Sequence, residues 1–336
     1  MFKRGDTMKL KLGVIGCGKK SSQYIETWSQ RTDIDIVCVC DPSEGALQHV
    51  KSILSDHGLK QVHAYQDWQT LLSEQGSTLD AIYICTPHAV HADQALAALE
   101  LNLDVLLEKP MVTTVDEAKA LQLAQQASGK QLVVAYQGGL SPLVHQLKKD
   151  IATKRYGDLM SINAAIWEDW ADTYTGHWKQ VPEISGGGFM FDTGAHMMNT
   201  TSMLCSQPFA SVSAKMNNHN FPVDIVTTVI GELADGMLFS MHACGKSIRC
   251  TSRIECFFTD YIVRVCAWGR WIEIEDRNGN IERKEQESAN NLMNVFLQTK
   301  DGNIQNPSDI EQGLHMAKLW DAIKLSASKK GAPVAC

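Results

Sequence analysis

The first part of the chain alternates short apolar segments with amphipathic ones. The apolar segments are rich in β-branched residues and cover 11–16, 35–40, 62–65, 80–85, 104–108 and 131–136. Amphipathic helical patterns, such as those at 92–101 and 115–128, lie between most of them. Continuous apolar strands that alternate with helices are typical of a parallel sheet covered on both faces. The pattern therefore predicts an α/β fold with a doubly wound parallel sheet.

The pattern changes after residue 137. The first predicted elements of this part are a helix near 143–155, a strand near 159–167 and a helix ending near 206. From 208 to 284 several long strand-like segments follow with no helical pattern between them, which predicts a large, mainly antiparallel sheet. Two closing helices are predicted near 286–299 and 308–329. We divide the chain into domains at 1–137 and 138–336, with the C-terminal helix able to pack back on the first domain.

Length and charge narrow the classes of function. The 336 residues exceed one typical domain, and the net charge of −7 comes with no basic block. We therefore expect neither nucleic acid nor an anionic membrane as a partner. The N-terminal stretch lacks a signal-peptide pattern, and no segment approaches the roughly 18 apolar residues of a membrane span. The expected location is cytoplasmic.

The ten cysteines point in the same direction. They are scattered, several lie inside apolar segments, and none forms a C-x-x-C pair. Such cysteines are typical of small buried side chains in a reducing compartment. Because no histidine and cysteine cluster has the spacing of a zinc site, the expected chemistry uses no metal.

The first strand ends in a glycine turn, "GVIGCG", that opens a helix. Gly16 permits a tight turn, Gly18 permits close approach of a pyrophosphate, and the helix N-terminus supplies free N–H groups. Ser21 stands where a third small residue is expected. The second strand ends in Asp41, which can accept hydrogen bonds from the adenosine ribose. The pattern predicts a dinucleotide site.

Asp41 also favours NAD over NADP, because its carboxylate would face the additional 2′-phosphate and no arginine follows it. The same aspartate fits a second role as the cap of the next helix. Cys17 lies within the turn and is counted among the cofactor contacts. Lys19 and Lys20 can pair with a phosphate, and they also fit an exposed helix start.

Two further motifs, "CTPHAVH" and "LLEKP", end the fourth and fifth strands. Ligands bind at the carboxyl ends of strands in open parallel sheets. Lys109, held between Glu108 and Pro110, is a good donor to a substrate oxygen, and burial can lower the pKa of such an amine. A lysine in this position also fits a solvated loop.

The stretch "GGGFMFDTGAH" at 186–196 places Asp192 and His196 four residues apart. Four residues is a helical spacing, so both side chains are predicted to share one helix face. A carboxylate and an imidazole on one face fit an acid/base couple, and they also fit a surface pair.

Together the motifs "GVIGCG", "CTPHAVH", "LLEKP" and "GGGFMFDTGAH" resemble those of the glucose–fructose oxidoreductase/inositol dehydrogenase (Gfo/Idh/MocA) family. The resemblance runs over nearly the whole chain and is loose between 208 and 306. It implies a Rossmann domain followed by an α/β domain with an open sheet, which packs against a substrate site or a partner subunit. It further implies an NAD-dependent oxidoreductase acting on the CH–OH group of a sugar, cyclic polyol or glycoside.

The resemblance also implies roles for individual residues. Lys109, Asp192 and His196 would be catalytic, and they would also contact the substrate together with Gln137, Trp178 and Lys179. Gly16, Gly18 and Asp41 would hold the adenosine half of the cofactor. The nicotinamide half would be lined by Thr86, Pro87, His91 and Glu108, with Lys109 and Gln137 beside it. A histidine of near-neutral pKa suits removal of the alcohol proton.

The chain departs from the family at 136–142, where "YQGGLSP" has glycines in place of an arginine-bearing loop. This departure affects the expected identity of the substrate more than the expected reaction type. The tryptophans in "IWEDWADTYTGHWKQ" can pack on sugar rings, although Trp167 and Trp170 fit domain packing equally well.

Three other functions fit the same motifs. An enzyme with tightly bound NAD could use transient oxidation for glycoside cleavage or an internal redox cycle. A non-catalytic dinucleotide-binding regulator is disfavoured, because it would not need the lysine, aspartate and histidine together. A dihydrodiol or imine reductase is the third.

A homodimer or homotetramer is expected, because the strands at 208–284 carry more apolar surface than one helical layer covers.

Overall fold

The computed structural model describes residues 9–286 and 292–336. Within them, the first sheet contains six parallel strands in the order β3-β2-β1-β4-β5-β6. The strands are β1 (Leu10–Ile15), β2 (Ile34–Cys40), β3 (His63–Tyr65), β4 (Ala81–Ile84), β5 (Asp104–Leu107) and β6 (Leu132–Val134). This order has its topological switch point between β1 and β4, where ligands bind in open α/β sheets. The predicted doubly wound parallel sheet is confirmed.

Helices cover both faces of this sheet. They are α1 (Lys19–Trp28), α2 (Glu44–Asp56), α3 (Trp68–Gln75), α4 (His91–Glu100) and α5 (Val115–Ser128). Because both faces are covered, the central strands are apolar along their whole length, and Val14, Tyr83 and Leu106 are fully buried. Helix α5 begins where Thr114 and Glu117 form a reciprocal capping box.

The second sheet has nine strands among the described residues, in the order β14-β13-β12-β11-β7-β10-β9-β8-β15. Its strands are β7 (Leu159–Asp169), β8 (Phe209–Asn217), β9 (Val226–Leu233), β10 (Leu238–Cys244), β11 (Lys246–Phe258), β12 (Ile262–Val265), β13 (Trp271–Glu275), β14 (Ile281–Glu285) and β15 (Val334–Ala335). The β7–β10 pair is parallel and the other pairs are antiparallel. The predicted mainly antiparallel sheet is confirmed.

Among the described residues of this part, one α-helix precedes β7, three lie between β7 and β8, and two lie between β14 and β15. They are α6 (Pro142–Ala152), α7 (Trp170–Thr173), α8 (Pro182–Ser185), α9 (Gly194–Leu204), α10 (Leu292–Lys300) and α11 (Ile310–Ser328). Along β7, Ile162 and Ile166 are buried under helices while Asn163 faces outward. This alternation leaves the other face of the sheet open.

Two C-terminal helices return to the first sheet. Met293 and Phe296 of α10 are fully buried in a core that includes Trp28 and Val133, and Lys300 donates to Asp104 Oδ2 at 2.6 Å. Residues 287–291 of the helix predicted near 286–299 lie outside the described residues. None of the helices in the described ranges is long and apolar enough to cross a membrane.

Candidate active site

The turn between β1 and α1 is shaped by its two glycines. Gly16 has a φ of +94°, and a Cβ there would overlap the carbonyl oxygen of Cys85 at the end of β4. A Cβ at Gly18, in contrast, would meet no described atom within 4 Å. Gly18 caps α1 without a side-chain hydrogen bond, so the first N–H groups of the helix face open space.

Asp41 is tied to this turn. Its Oδ2 accepts from the backbone N–H of Cys17 at 2.8 Å, and its Oδ1 accepts from that of Ser43 at 2.9 Å. The cap of α2 is Ser43, whose hydroxyl accepts from the N–H of Ala46. The alternative role of Asp41 as that cap is therefore wrong. Each carboxylate oxygen retains a lone pair for another donor.

These features fit a dinucleotide. An uncapped helix N-terminus binds a pyrophosphate, open space beside Gly18 admits it, and a carboxylate at the end of β2 can accept from ribose hydroxyls. Lys19 and Lys20 are exposed in the first turn of α1. The Nζ of Lys20 lies 4.5 Å from the centre of the Tyr24 ring.

His91 joins the two turns that follow β4 and β5. Its Nδ1 lies 2.9 Å from the carbonyl oxygen of Pro110, and its Nε2 lies 2.9 Å from that of Thr86. The ring is fully buried, and burial lowers its pKa. A neutral imidazole has one N–H, so His91 donates to one of these two carbonyl oxygens while the ring contacts both turns. His91 therefore helps to position the turn at Thr86 and Pro87, and its place in the cofactor cleft stays a prediction.

Lys109 and Asp192 meet across the two halves of the chain. The Nζ of Lys109 donates to the Asp192 carbonyl oxygen at 2.9 Å and to its Oδ1 at 3.0 Å. The Nζ of Lys179 donates to Oδ2 at 2.7 Å, and Trp170 Nε1 donates to the same oxygen at 2.8 Å. An ammonium has three N–H donors, so Lys109 keeps one for another acceptor.

The charges in this cluster support one another. Burial opposes the ionisation of Asp192, but Lys109 and Lys179 outweigh it and hold the pKa of that carboxyl well below its usual range. Burial likewise opposes the charge of Lys179, and Asp192 with Tyr174 keeps its pKa above the ordinary value. The cluster is therefore two ammonium groups around one carboxylate.

The structure corrects the predicted relation between Asp192 and His196. Helix α9 begins at Gly194, so Asp192 lies in the preceding turn and shares no helix face with His196. Nδ1 of His196 is buried and has no hydrogen-bond partner among the described residues. Asp192 is held by lysines instead, because the two ammonium groups and the Trp170 indole occupy both of its oxygens.

His196 is nevertheless close enough to the cluster to respond to it. The side chain is 8% exposed, and its ring centre lies 5.7 Å from that of Trp268. Burial lowers the pKa of His196 well below its usual range, the charge of Lys109 lowers it further, and Asp192 acts in the opposite direction. The imidazole is therefore neutral at pH 7, and the near-neutral pKa expected for this histidine from the sequence is wrong.

Glu108 directly precedes Lys109 after β5, and Gln137 follows β6. Glu108 Oε1 accepts from the Tyr83 hydroxyl at 3.1 Å, and burial raises the pKa of this carboxyl. Gln137 is hydrogen-bonded to the side chain of Tyr24. Both side chains lie near Tyr24, since the charge of Glu108 also acts on the pKa of that tyrosine.

Three residues of the site were not singled out from the sequence. His88 is buried, its Nδ1 lies 2.7 Å from the carbonyl oxygen of Ser185, and its ring meets that of Trp178 edge-on at 4.9 Å. Burial lowers the pKa of His88 to about 3. Trp170, for which domain packing was an equally good expectation, donates from its indole N–H to Asp192 Oδ2. The "CTPHAVH" motif could have flagged His88, since it stands at a strand end.

Asp224 is the third such residue, and it fixes the glycine loop. Its carboxylate accepts from the N–H groups of Gly188 at 2.7 Å and Met190 at 3.1 Å. A Cβ at Gly188 would overlap the Asp224 carbonyl oxygen, so this position admits only glycine. The glycines therefore serve close packing beneath Asp192. No local sequence signal connects Asp224 with the glycine loop, because Gly188 and Met190 lie more than thirty residues away.

Trp178 and Lys179 form one wall of the site. Trp178 is partly exposed beside His88, and the Lys179 Nζ lies 4.3 Å from the centre of the Tyr174 ring. The wall therefore offers aromatic surface next to a cation.

Asp192→Asn is expected to lower the free energy of unfolding by about 1–3 kcal/mol, because two ammonium groups would lose their shared counter-charge. Urea unfolding would measure this. Asp172→Asn, which alters an exposed pair with Lys246, is the control and should change stability by less than about 0.5 kcal/mol. Equal stability of wild type and Asp192→Asn would contradict the cluster described above.

Comparison with known proteins matches two family domains. Residues 10–136 match the domain described as "Oxidoreductase family, NAD-binding Rossmann fold", and residues 144–264 match the "GFO/IDH/MocA C-terminal domain". A solved inositol dehydrogenase homolog from Azotobacter vinelandii, complexed with NAD+, superposes over 100% of both chains with a TM-score of 0.84 and 17% identity. At this sequence identity, the similarity shows a shared fold and nothing further.

Two curated relatives match over part of their length. The "1-carboxy-3-chloro-3,4-dihydroxycyclo hexa-1,5-diene dehydrogenase" of Comamonas testosteroni is 26% identical over 61% of this chain and 50% of its own. The "D-glucoside 3-dehydrogenase" of Escherichia coli (strain K12) is 24% identical over 63% of this chain and 58% of its own. The chain thus spans between half and three fifths of these relatives.

Proposed function

This chain belongs to the GFO/IDH/MocA oxidoreductase family, whose N-terminal domain is an NAD-binding Rossmann domain, and we propose that it oxidises or reduces the CH–OH group of a sugar, cyclic polyol or glycoside. The observation that carries the proposal is the meeting of Lys109 and Asp192. Lys109 follows β5 beside the dinucleotide turn, whereas Asp192 comes from the second part of the chain. This contact supports the proposal that a substrate and a nicotinamide would meet beside the Lys109 ammonium.

The turn residues Gly16, Cys17 and Gly18, with Asp41, would hold the adenosine half of NAD, and Thr86, Pro87 and Glu108 would line the other half. When bound, NAD supplies the hydride acceptor or donor. Lys109 directs its remaining N–H at the substrate oxygen and stabilises negative charge that develops there. The two hydrogen bonds to Asp192 fix its direction before the substrate arrives.

His196 takes the hydroxyl proton in this proposal. A neutral imidazole is ready to accept a proton, and the buried His196 is neutral at pH 7. Asp192 acts through Lys109 and Lys179 as a positioning residue, since both of its oxygens are engaged. This replaces the expected couple between Asp192 and His196.

A carbohydrate or polyol substrate fits the wall formed by Trp178 and Lys179. Aromatic faces pack against the C–H faces of a sugar ring, and an ammonium binds its hydroxyl oxygens. The names of relatives such as D-glucoside 3-dehydrogenase support the same substrate class.

The direct test has two steps. The purified protein is first denatured and its supernatant assayed for released nicotinamide, because retained NAD indicates an internal redox cycle and free protein indicates a cosubstrate. A panel of sugars, polyols and glycosides is then screened for a change of absorbance in the NADH band. Absence of any turnover in both directions, by protein that binds NAD, would contradict the proposed activity.

Asp41 should make the protein prefer NAD(H) over NADP(H) by at least about tenfold, which corresponds to about 1.4 kcal/mol. The double change Asp41→Ser with Pro42→Arg should narrow or reverse that preference, because it removes the carboxylate and adds a phosphate partner. Calorimetry with both coenzymes measures the ratio. Asp56→Ser, at an exposed helix end, is the charge-matched control. Equal affinity of the wild type for NADP(H) would contradict the role of Asp41.

We also expect a homodimer or homotetramer formed through the open sheet face. Ile230 and Leu238 are 61% and 63% exposed there, around a depression of about 550 Å³ that also includes Gly231 and Phe239. Light scattering should give a mass above one chain at micromolar concentration, and the double change Ile230→Lys with Leu238→Lys should shift it towards the monomer. Leu123→Lys on α5 is the control. A monomeric wild type would count against this assembly.

A further inference from the structure

Lys20 takes no part in the chemistry proposed above, yet its side chain extends to the catalytic side of the cleft. Its Nζ lies 4.5 Å from the centre of the Tyr24 ring. Tyr24 packs edge-on against Tyr83 at 5.9 Å, and the Tyr83 hydroxyl donates to Glu108 Oε1 at 3.1 Å. These contacts lead from α1 towards the ends of β4 and β5, away from Asp41 at the end of β2.

The electrostatic neighbours of Lys20 agree with this placement. Its charge offsets part of the rise that burial causes in the pKa of Glu108, and it adds to the fall that burial causes in the pKa of His196. His196 belongs to the second part of the chain. The ammonium of Lys20, above the Tyr24 ring, therefore lies within electrostatic reach of Glu108 and His196.

Glu108 belongs to the half of the cleft proposed for nicotinamide. A dinucleotide held by Asp41 at its adenosine end would cross the glycine turn, and the residues at the ends of β4 and β5 would hold its other end. Glu108 and Lys109 mark that end. Lys20 is thus a cation on the nicotinamide side of the pyrophosphate site.

We propose that Lys20 biases the site towards the reduced coenzyme. The nicotinamide ring of NAD+ carries a positive charge and that of NADH is neutral, so a nearby ammonium disfavours the oxidised form by like-charge repulsion. The inference rests on the proposed function, since it requires NAD in this cleft. It adds that the protein holds NADH more tightly than NAD+ in part because of this one lysine.

The surrounding charges do not cancel the effect. Lys109 and Lys179 share the carboxylate of Asp192 between them, and Glu108 is an acid within electrostatic reach of Lys20. Glu108 is buried and hydrogen-bonded to Tyr83, and burial favours its neutral form. Removal of Lys20 lowers the positive potential in the cleft whichever form Glu108 takes.

The test compares dissociation constants of NAD+ and NADH, measured by calorimetry, for the wild type and Lys20→Met. The ratio Kd(NAD+)/Kd(NADH) is expected to fall by about three- to tenfold in the variant, because screening by water reduces but does not abolish repulsion at this range. Lys20→Arg keeps the charge and should keep the ratio. Lys19→Met removes a neighbouring charge from the same helix turn and should also leave the ratio unchanged.

The ratio Kd(NAD+)/Kd(NADH) distinguishes repulsion of the nicotinamide charge by Lys20 from binding of the pyrophosphate by Lys20. If Lys20 binds the pyrophosphate, both dissociation constants rise by one common factor in Lys20→Met and the ratio does not change, which overturns the inference. ADP-ribose, which lacks nicotinamide, provides a second test. Wild type and Lys20→Met should bind ADP-ribose with the same affinity. If Lys20→Met loses as much affinity for ADP-ribose as for NADH, the inference is overturned. Failure of the wild type to bind either coenzyme overturns the proposed function and this inference together, whereas an unchanged ratio overturns this inference alone.

Discussion

Lys109→Ala is expected to lower kcat by about 10³-fold or more, while the protein stays folded. The loss follows from the geometry: Lys109 is fixed by two hydrogen bonds to Asp192, and its third N–H is the donor proposed for the reacting oxygen. Steady-state turnover with the substrate found in the panel measures the loss. NAD affinity, measured by calorimetry, should change far less than turnover.

A surface lysine supplies the control for this experiment. Lys119→Ala, on the exposed side of α5, should leave activity within about a factor of two. Turnover of Lys109→Ala at the wild-type rate, with NAD bound, would remove Lys109 from the mechanism.

A double-mutant cycle shows whether Asp192 works through Lys109. Asp192→Asn alone should impair turnover, but less than Lys109→Ala, because the amide can still accept one hydrogen bond. If the two residues act as a unit, the double variant should be little worse than Lys109→Ala alone. Strict additivity would mean that Asp192 acts independently of the lysine.

His196→Ala is expected to lower kcat by about 10²–10⁴-fold through loss of the proton acceptor. NAD affinity should barely change, because His196 comes from the second part of the chain.

The pH dependence of the oxidation rate provides a second test of the role of His196. The acceptor is the neutral imidazole, which exists above the pKa of His196, and burial lowers that pKa well below its ordinary value. Oxidation by the wild type should therefore hold its rate down to about pH 6.5 and decline only at lower pH. The His196→Ala variant should lack this acidic limb. A well-folded His196→Ala that binds NAD and turns over at the wild-type rate would exclude His196 as the proton acceptor.

The local pattern of the sequence was sufficient for the elements and for the first half of the site. The apolar segments at 11–16 and 80–85 became central parallel strands, because a strand buried on both faces must be apolar throughout. Gly16 and Asp41 could be placed together because the carboxyl ends of neighbouring parallel strands meet at one edge. These inferences need only neighbours along one sheet.

The partners of the catalytic candidates required the tertiary structure. The four-residue spacing of Asp192 and His196 suggested one helix, but Asp224 holds the preceding loop so that α9 begins only at Gly194. Asp192 then faces Lys109 from eighty-three positions away and not its own histidine. The position of His88 under Trp178 and the direction of Lys20 were equally unforeseen.

The division has a physical basis. Periodicity and turn chemistry act between residues a few positions apart, so the sequence by itself determined the parallel sheet, the antiparallel sheet and the glycine turn. The resemblance of its motifs to a known family supplied most of the candidate site residues. The acceptor of a buried ammonium depends on how the two sheets pack together. That packing minimises the free-energy cost of burying charges that come from distant segments of the chain. The pairing of Lys109 and Lys179 around Asp192 was therefore decided only when the chain had folded.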